Sequence, residues 1–314
     1  ARIIRTRDAG HDVVVVVSAM GDETDRLVSL ADEVNYDGLD ARRELDVLLS
    51  TGEQATIALL AMTLLKHGVK AESVLGWQAS ILTDSEHSKA RILEIDETVL
   101  QAKISDGIVP VSAGGDHSIT LPILRAIAKD APVGLIHFDA HCDTGDDYLG
   151  SKFHHGAPFR RAVEEGLVDP KRTIQIGIRG SLNDLDQWQF SHETGMRVIY
   201  MDEFYEMGVK AVIKEIHRVV GEGPSYLTFD VDGLDPVYAS GTGTPEVGGF
   251  STVEAQLMIR GCRGLNLVGG DLVEVAPPFD PSGNTALTGA TMMFEILCVV
   301  ADAVSSRKAP ESTV

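Results

Sequence analysis

The sequence predicts an α/β protein with three αβα layers around a mostly parallel sheet. Short apolar runs alternate with amphipathic stretches along the whole chain. Three of those runs end in clusters of Asp and His, at the strand ends where open parallel sheets build ligand sites. The 314 residues, 44% of them hydrophobic, are enough for one large domain or two smaller ones.

In chain order, Val13–Val17 reads as a buried strand, and a further strand is expected near Glu72–Leu75. Gly52–Lys66 reads as a helix because Ile57, Leu60, Ala61 and Leu64 recur at helical spacing. Ile108–Val111 reads as a strand followed by the helix Leu121–Lys129, and Val133–Phe138 as the next strand. Thr173–Ile178 and Val198–Tyr200 read as strands, with the helix Val209–Val220 after them. Tyr226–Val231, Leu267–Gly269 and Leu272–Val275 complete the strands, and a last helix runs from about Ala286 to Val304. The polar tail from Ser305 is expected to fray.

Lys and Arg number 27 against 47 Asp and Glu, a net charge of −20. Such a surface repels nucleic acid and anionic membranes, so neither is an expected partner. It draws in small cations, although solubility alone also accounts for it. No uninterrupted apolar run reaches the length of a membrane span. Cys142, Cys262 and Cys298 have no framework spacing, which points to a reducing compartment. The basic start Ala1-Arg2-Ile3-Ile4-Arg5 lacks a signal-peptide pattern, so a cytoplasmic location is expected.

Three segments carry chemistry: Gly114-Gly115-Asp116-His117-Ser118, His137-Phe138-Asp139-Ala140-His141-Cys142-Asp143, and Phe229-Asp230-Val231-Asp232-Gly233-Leu234-Asp235-Pro236. On extended backbone, side chains two apart share a face, which groups Asp139, His141 and Asp143, and likewise Asp230 with Asp232. With His117 they make four carboxylates and two imidazoles at one rim. Unneutralised carboxylates at that density repel one another and have raised pKa values. Two divalent cations cancel their charge, and carboxylate-rich ligation suits manganese. Such a pair lowers the pKa of a water between them.

Each segment alone has a plainer reading. Asp-x-Asp before Leu-Asp-Pro also makes a turn or cap, and Gly-Gly-Asp-His an ordinary turn. His137 lies deeper in its strand and reads as a satisfied structural histidine. Cys142 points off the ligand face and reads as a packed small residue. Only the three segments together, each after a buried strand, favour a metal centre.

On these motifs, residues from about Ser105 to Arg307 resemble the ureohydrolase family of arginases, agmatinases and guanidino-acid hydrolases. Gln175-Ile176-Gly177-Ile178-Arg179-Gly180, Thr242-Gly243-Thr244-Pro245-Glu246, Asp271-Leu272-Val273-Glu274-Val275-Ala276-Pro277 and Ser282-Gly283-Asn284-Thr285-Ala286 look closest to agmatinase or guanidinobutyrase members. The resemblance implies an arginase-like fold, two Mn2+ ions, and hydrolysis of a small guanidinium substrate to urea and an amine. It implies that His117, Asp139, Asp143 and Asp230 hold one ion, and Asp139, His141, Asp230 and Asp232 the other. Asp235 is expected to order the turn instead. The catalytic residues implied are His155, Glu274 and Asp232. His155 matches the family's proton shuttle, with His154 as the neighbour that could be mistaken for it. Glu274 matches the guanidinium-binding carboxylate, a pairing with a bidentate logic of its own, although a strand-end carboxylate is its plainer reading. Asp232 would steady the tetrahedral intermediate.

Agmatine is the leading substrate expectation, guanidinobutyrate or a related guanidino acid the alternative, and arginine the less favoured. Family members form trimers or hexamers, so a homo-oligomer is expected.

Residues from about Arg7 to Leu100 instead resemble part of an aspartokinase. The segments that match are Val15-Val16-Val17-Ser18-Ala19-Met20, Ser50-Thr51-Gly52-Glu53-Gln54, Gly76-Trp77-Gln78-Ala79, Thr83-Asp84 and Lys89-Ala90-Arg91-Ile92. The Lys-Phe-Gly-Gly-Thr-Ser phosphate loop of that family is absent, so phosphoryl transfer is not expected. The chain is therefore expected to divide into residues 1–104, an amino-acid-kinase-like segment replacing the usual start of the fold, and 105–314, the ureohydrolase domain. An amino-acid kinase and an inactive metal-binding fusion are the competing classes.

Overall fold

In the computed structural model, the described residues are 23–34, 42–66, 68, 73–75, 78, 81–83, 85, 92–95, 98, 109–180 and 186–308. They fall into two compact units, one up to residue 98 and one from residue 109 onward.

The first unit contains α1 (Glu23–Glu33), α2 (Arg42–Lys66) and an antiparallel pair, β1 (Ile81–Thr83) with β2 (Ile92–Ile95). Helix α1 packs on α2 and buries Leu27 and Ala31. The helix expected from Gly52 starts ten residues earlier, because Arg42–Leu49 is also rich in helix formers. The expected strand Val13–Val17 lies outside the described residues. Residues 73–75 form no strand.

The second unit is built on six parallel strands: β3 (Val111–Ala113), β4 (Val133–Phe138), β5 (Val168–Ile178), β6 (Arg197–Tyr200), β7 (Ser225–Asp230) and β8 (Leu267–Val273). Their order is β3-β8-β7-β4-β5-β6. The helices are α3 (Thr120–Ile127), α4 (Pro158–Glu164), α5 (Asp186–Thr194), α6 (Met201–Met207), α7 (Val209–Val220), α8 (Thr252–Gly261) and α9 (Asn284–Lys308). Successive β4 side chains enter different cores, as alternation across a sheet requires. Leu135 packs with Leu124, Phe159 and Tyr226, whereas Ile136 and Phe138 pack with Ile216, Phe229, Phe250 and Met258. The sheet is thus covered on both faces, and β4 and β7 are buried at every position.

Several expected bounds shift. The first strand is Val111–Ala113, with only a bridge at Val109. The two strands expected at Leu267–Gly269 and Leu272–Val275 are one, β8, because Gly270 and Asp271 continue the ladder beside Leu227 and Thr228. Helices α4, α5, α6 and α8 are not among the elements the sequence predicts. The first three have seven, nine and seven residues, too short for a clear period. Helix α8 declares itself by chemistry instead, through a capping box between Ser251 and Glu254. By length and composition α2 and α9 could cross a membrane. Helix α9, however, buries Met292, Ile296, Val299 and Val300 in the sheet's core, and its Glu295 pairs with Arg260 of α8.

Candidate active site

The carboxyl ends of β3, β4, β7 and β8 lie side by side in the sheet, and the residues just past them form the site. After β3 the chain turns through Gly114 and Gly115 into a single 3-10 turn, His117–Ile119, capped by the Asp116 side chain on the Ser118 N–H. That turn drives His117 inward until it is fully buried.

His117 Nδ1 lies 3.2 Å from Asp139 Oδ2, 3.0 Å from Asp143 Oδ2 and 3.4 Å from Asp230 Oδ2. His141 Nδ1 lies 3.1 Å from Asp232 Oδ2 and 3.4 Å from Asp139 Oδ1. Asp139 therefore belongs to both groups, one oxygen toward each imidazole. The six side chains expected to meet do meet.

The reason differs from strand alternation. Strand β4 ends at Phe138, and Asp143 has left-handed backbone with φ 51°. Asp232 sits in a 3-10 turn, Val231–Gly233, held by its own N–H donating to Asp230 Oδ1 at 2.8 Å. Local turns at and past the strand ends, more than strand alternation, point these side chains at one place. Positive φ at Asp143, and at Glu274 with φ 65°, is the kind of local strain that accumulates at functional positions.

Beneath the cluster the packing leaves no slack. Gly177 has φ 107°, and a Cβ there would lie 2.7 Å from the Asp139 carbonyl oxygen and 2.6 Å from the Phe250 ring. Only glycine fits. His137 is fully buried, as the reading of a satisfied histidine requires. The Gln175 amide donates to the Cys142 carbonyl at 2.6 Å and to His137 Nδ1 at 3.1 Å. His137 Nε2–H is then left to donate to Asp139 Oδ2 at 2.7 Å. Cys142 is packed with Ile178 and Val198, off the ligand group, and burial pushes its thiol pKa up. Asp235 orders its turn, accepting from the Val237 N–H at 3.0 Å and the Gly248 N–H at 2.7 Å.

The electrostatics are those of a site that calls for cations. Burial pushes Asp230 well above the ordinary carboxylate range, with Asp232 and Asp139 adding to it. Burial and Asp139 raise Asp232 to about 6. Asp139 would also rise on burial, but His137, His117 and His141 outweigh that and hold it well below its usual value. Burial lowers both imidazoles of the cluster, yet the carboxylates facing them win. His117 is raised well above 6.5 and His141 to about 12.

Buried His117 Nδ1 makes no well-aligned hydrogen bond although three carboxylate oxygens surround it. Donor atoms that converge in this way fit a divalent cation. The groupings His117–His137–Asp139 and Asp139–His141–Asp232 each bring three donor atoms within 4.8 Å of one another. In the first, both His137 ring nitrogens are already hydrogen-bonded, so Asp143 and Asp230 are the better partners for His117.

Glu274 stands next to the cluster. Its Oε1 accepts the His117 backbone N–H at 2.8 Å, and its own N–H donates to the Gly115 carbonyl at 3.0 Å. Burial raises its pKa to about 7. His155 is exposed, 6.2 Å from the His154 ring between centroids. His154 is half-buried, its buried Nε2 has no hydrogen-bond partner among the described residues, and burial lowers its pKa.

The supporting shell went unassigned at the level of sequence. Arg179 donates to the carbonyls of Gly177, Asp232, Gly233, Leu234, Glu246 and Val247, clamping the backbone under Asp232. Thr244 donates to Asp232 Oδ2 at 3.1 Å, and the Ala140 N–H donates to Asp232 Oδ1 at 3.0 Å. Asp271 is a fully buried carboxylate in mid-strand, a place the sequence hides because Gly270-Asp271 reads as a break between two strands.

Residues 59–299 match the Arginase family. The chain is 58% identical over 200 residues to guanidinopropionase of Pseudomonas aeruginosa, covering 63% of each protein. It is 53% identical over 201 residues to the mitochondrial agmatinase of Gallus gallus, 64% of this chain and 59% of that one. The mitochondrial guanidino acid hydrolase of Homo sapiens is 46% identical over 259 residues, 82% of this chain and 71% of that protein. The chain thus spans about three fifths of the first two relatives. Among solved structures, proclavaminate amidino hydrolase from Streptomyces clavuligerus superposes with a TM-score of 0.63 at 37% identity, over 66% of this chain and 69% of that one. Arginase from Bacillus caldovelox gives a TM-score of 0.59 at 27% identity, over 64% and 72%. Family match, fold and site geometry agree: the chain belongs to the Arginase family.

Proposed function

We propose that the chain hydrolyses the guanidinium group of a small guanidino compound, releasing urea and an amine. One observation carries the reading: two imidazoles and four carboxylates converge in two groups that share Asp139. His117, Asp139, Asp143 and Asp230 would hold one Mn2+ ion, and Asp139, His141, Asp230 and Asp232 the second. When bound, the pair supplies an activated water at neutral pH and offsets the cluster's negative charge.

The chain's own residues supply the rest. Glu274 receives the guanidinium through paired, charge-assisted hydrogen bonds. With its pKa raised to about 7, it is drawn fully into the carboxylate form by a cationic substrate. Glu274 is tied to the His117 backbone, so binding the guanidinium there sets it beside the cluster. Asp232, gripped by Thr244 and the Ala140 N–H, keeps a fixed carboxylate facing the developing tetrahedral centre. His155, exposed to solvent, hands a proton to the departing amine.

Agmatine and the guanidino acids both fit this chemistry. The similarity to guanidinopropionase, agmatinase and guanidinobutyrase supports the class without choosing within it. The test is urea release from agmatine, guanidinobutyrate, guanidinopropionate and arginine, with and without added Mn2+. Turnover of at least one of the first three only with Mn2+ is expected. No urea from any of them with Mn2+ present sinks the reading.

We also propose a homo-oligomer, trimer or hexamer, in a reducing, cytoplasmic setting, for which the sparse cysteines without framework spacing argue. Molar mass by light scattering tests the first part, and a monomer overturns it. For residues 7–100 we retain only the aspartokinase-like look of their motifs, with the hydrolase domain proposed over 105–314. The family match begins at residue 59 and so overlaps that segment. A kinase activity is not part of the proposal, and binding of ATP by the purified chain would reopen it.

A further inference from the structure

Behind His117, on the side away from the cluster, a chain of hydroxyls leads to a buried carboxylate. His117 Nε2 lies 2.8 Å from Thr228 Oγ1. Thr228 donates to Asp271 Oδ1. Thr120 and Tyr226 donate to Asp271 Oδ2 at 2.7 and 2.9 Å. All five side chains are fully buried. Thr228 and Asp271 are direct neighbours across β7 and β8. Tyr226, two residues before Thr228, shares its face of the sheet.

The direction of these bonds is fixed by counting protons. A carboxylate only accepts, so the single Thr228 proton goes to Asp271. The Thr228 oxygen must then accept from His117, which places a proton on Nε2. The other nitrogen, Nδ1, faces Asp139, Asp143 and Asp230, and a cation needs its lone pair there. The opposite tautomer would put a proton where the ion belongs and leave Thr228 with two acceptors for one hydrogen.

We propose that Thr228 and Asp271 are positioning residues that hold His117 with its proton on Nε2 and its Nδ1 lone pair toward the cation shared with Asp139, Asp143 and Asp230. This rests on the two-cation reading above. It assigns unequal support to the two ion positions, because His141 has no such relay among the described residues. Its Nδ1 meets Asp139 and Asp232, and its side chain is 21% exposed.

The discriminating experiment is Mn2+ titration of the purified metal-free chain, read by calorimetry and by electron paramagnetic resonance of the loaded protein. Wild type is expected to bind two ions and to show the spectrum of a coupled pair. Thr228→Val keeps the shape and the strand preference but removes the hydroxyl. One of its two ions should bind roughly 10- to 100-fold more weakly, and at stoichiometric loading the coupled spectrum should give way to that of single ions. Thr228→Ser should restore both. Tyr226→Phe removes a donor to the same Asp271 but not the relay. It should lower the melting temperature while leaving both affinities at the wild-type value. If Thr228→Val does not fold, Thr228→Ala gives the same readout without a methyl in the hydroxyl's place. Wild-type affinities for both ions in a folded hydroxyl-free variant overturn the relay and spare the two-cation reading. A wild-type chain that binds no Mn2+ overturns both.

Discussion

His117 and His141 face the same aspartate from opposite sides, yet the protein builds them differently. His117 is sealed inside, aimed at three carboxylates and backed by Thr228 and Asp271. His141 is partly open, aimed at two carboxylates, one of them tethered by Thr244 from a surface loop. One of the two proposed ion positions would be made by the core, and the other by the rim. The difference teaches that two imidazoles alike in sequence are held in unequal surroundings, one by buried strands and the other by a surface loop.

Asp139 is where the two halves join, so removing its charge should erase the contrast altogether. Asp139→Asn is expected to lose both ions and to drop urea release below detection. Metal content by mass spectrometry together with a colorimetric urea assay checks it. A variant that keeps two ions and still turns over contradicts the shared role.

Cutting each half separately should expose the asymmetry. In the metal-free protein, His117→Ala leaves three buried carboxylates without their imidazole, a loss of about 3 kcal/mol by analogy with broken buried ion pairs. His141→Ala, nearer solvent, should cost about 1 kcal/mol. Urea denaturation of the two variants compares them, and equal losses would remove the distinction between core and rim.

This asymmetry could not be read from the sequence, although the meeting of the six side chains could. His117, Asp139, His141, Asp143, Asp230 and Asp232 were legible because each follows an apolar strand, and strand ends in parallel sheets gather at one rim. Strand order was not legible. The chain runs β3, β4, β5 while the sheet places β8 and β7 between β3 and β4. That order is what sets Thr228 beside Asp271 and both behind His117. Threonine in a strand is ordinary, so nothing local marked Thr228. Arg179 was visible within a motif, but its six carbonyl partners come from three separate segments, and only the folded chain brings them together.

Arg179 gives a finer test, since it clamps the turn that carries Asp232. Its guanidinium holds the Asp232, Gly233 and Leu234 carbonyls. Arg179→Lys keeps the charge but loses the fork of donors. The expected result is a stability loss of about 1–3 kcal/mol and weaker binding of the ion beside His141, with the ion beside His117 unaffected. Equal weakening of both would show that the clamp serves the whole sheet end and not the rim.

The smallest expected signal is a proton count, and it reads the two imidazoles directly. Without cations His117 is held protonated by Asp139, Asp143 and Asp230, and His141 by Asp139 and Asp232 up to about 12. Both folded values lie above the ordinary histidine value near 6.5, so protonation stabilises the metal-free fold. That contribution is complete below pH 6.5 and fades as the pH climbs through the raised values. Binding a cation replaces the proton on each imidazole, so loading at about pH 7.5 should release protons to the buffer. Calorimetry in buffers of different ionisation enthalpy measures the number. His141→Ala should release about one proton fewer than wild type, and the stability of its metal-free form should fall less steeply between about pH 6.5 and 9. If the variant and wild type release the same number, the rim imidazole is already neutral before the ion arrives, and its two aspartates hold it less firmly than their 3.1 and 3.4 Å approach implies.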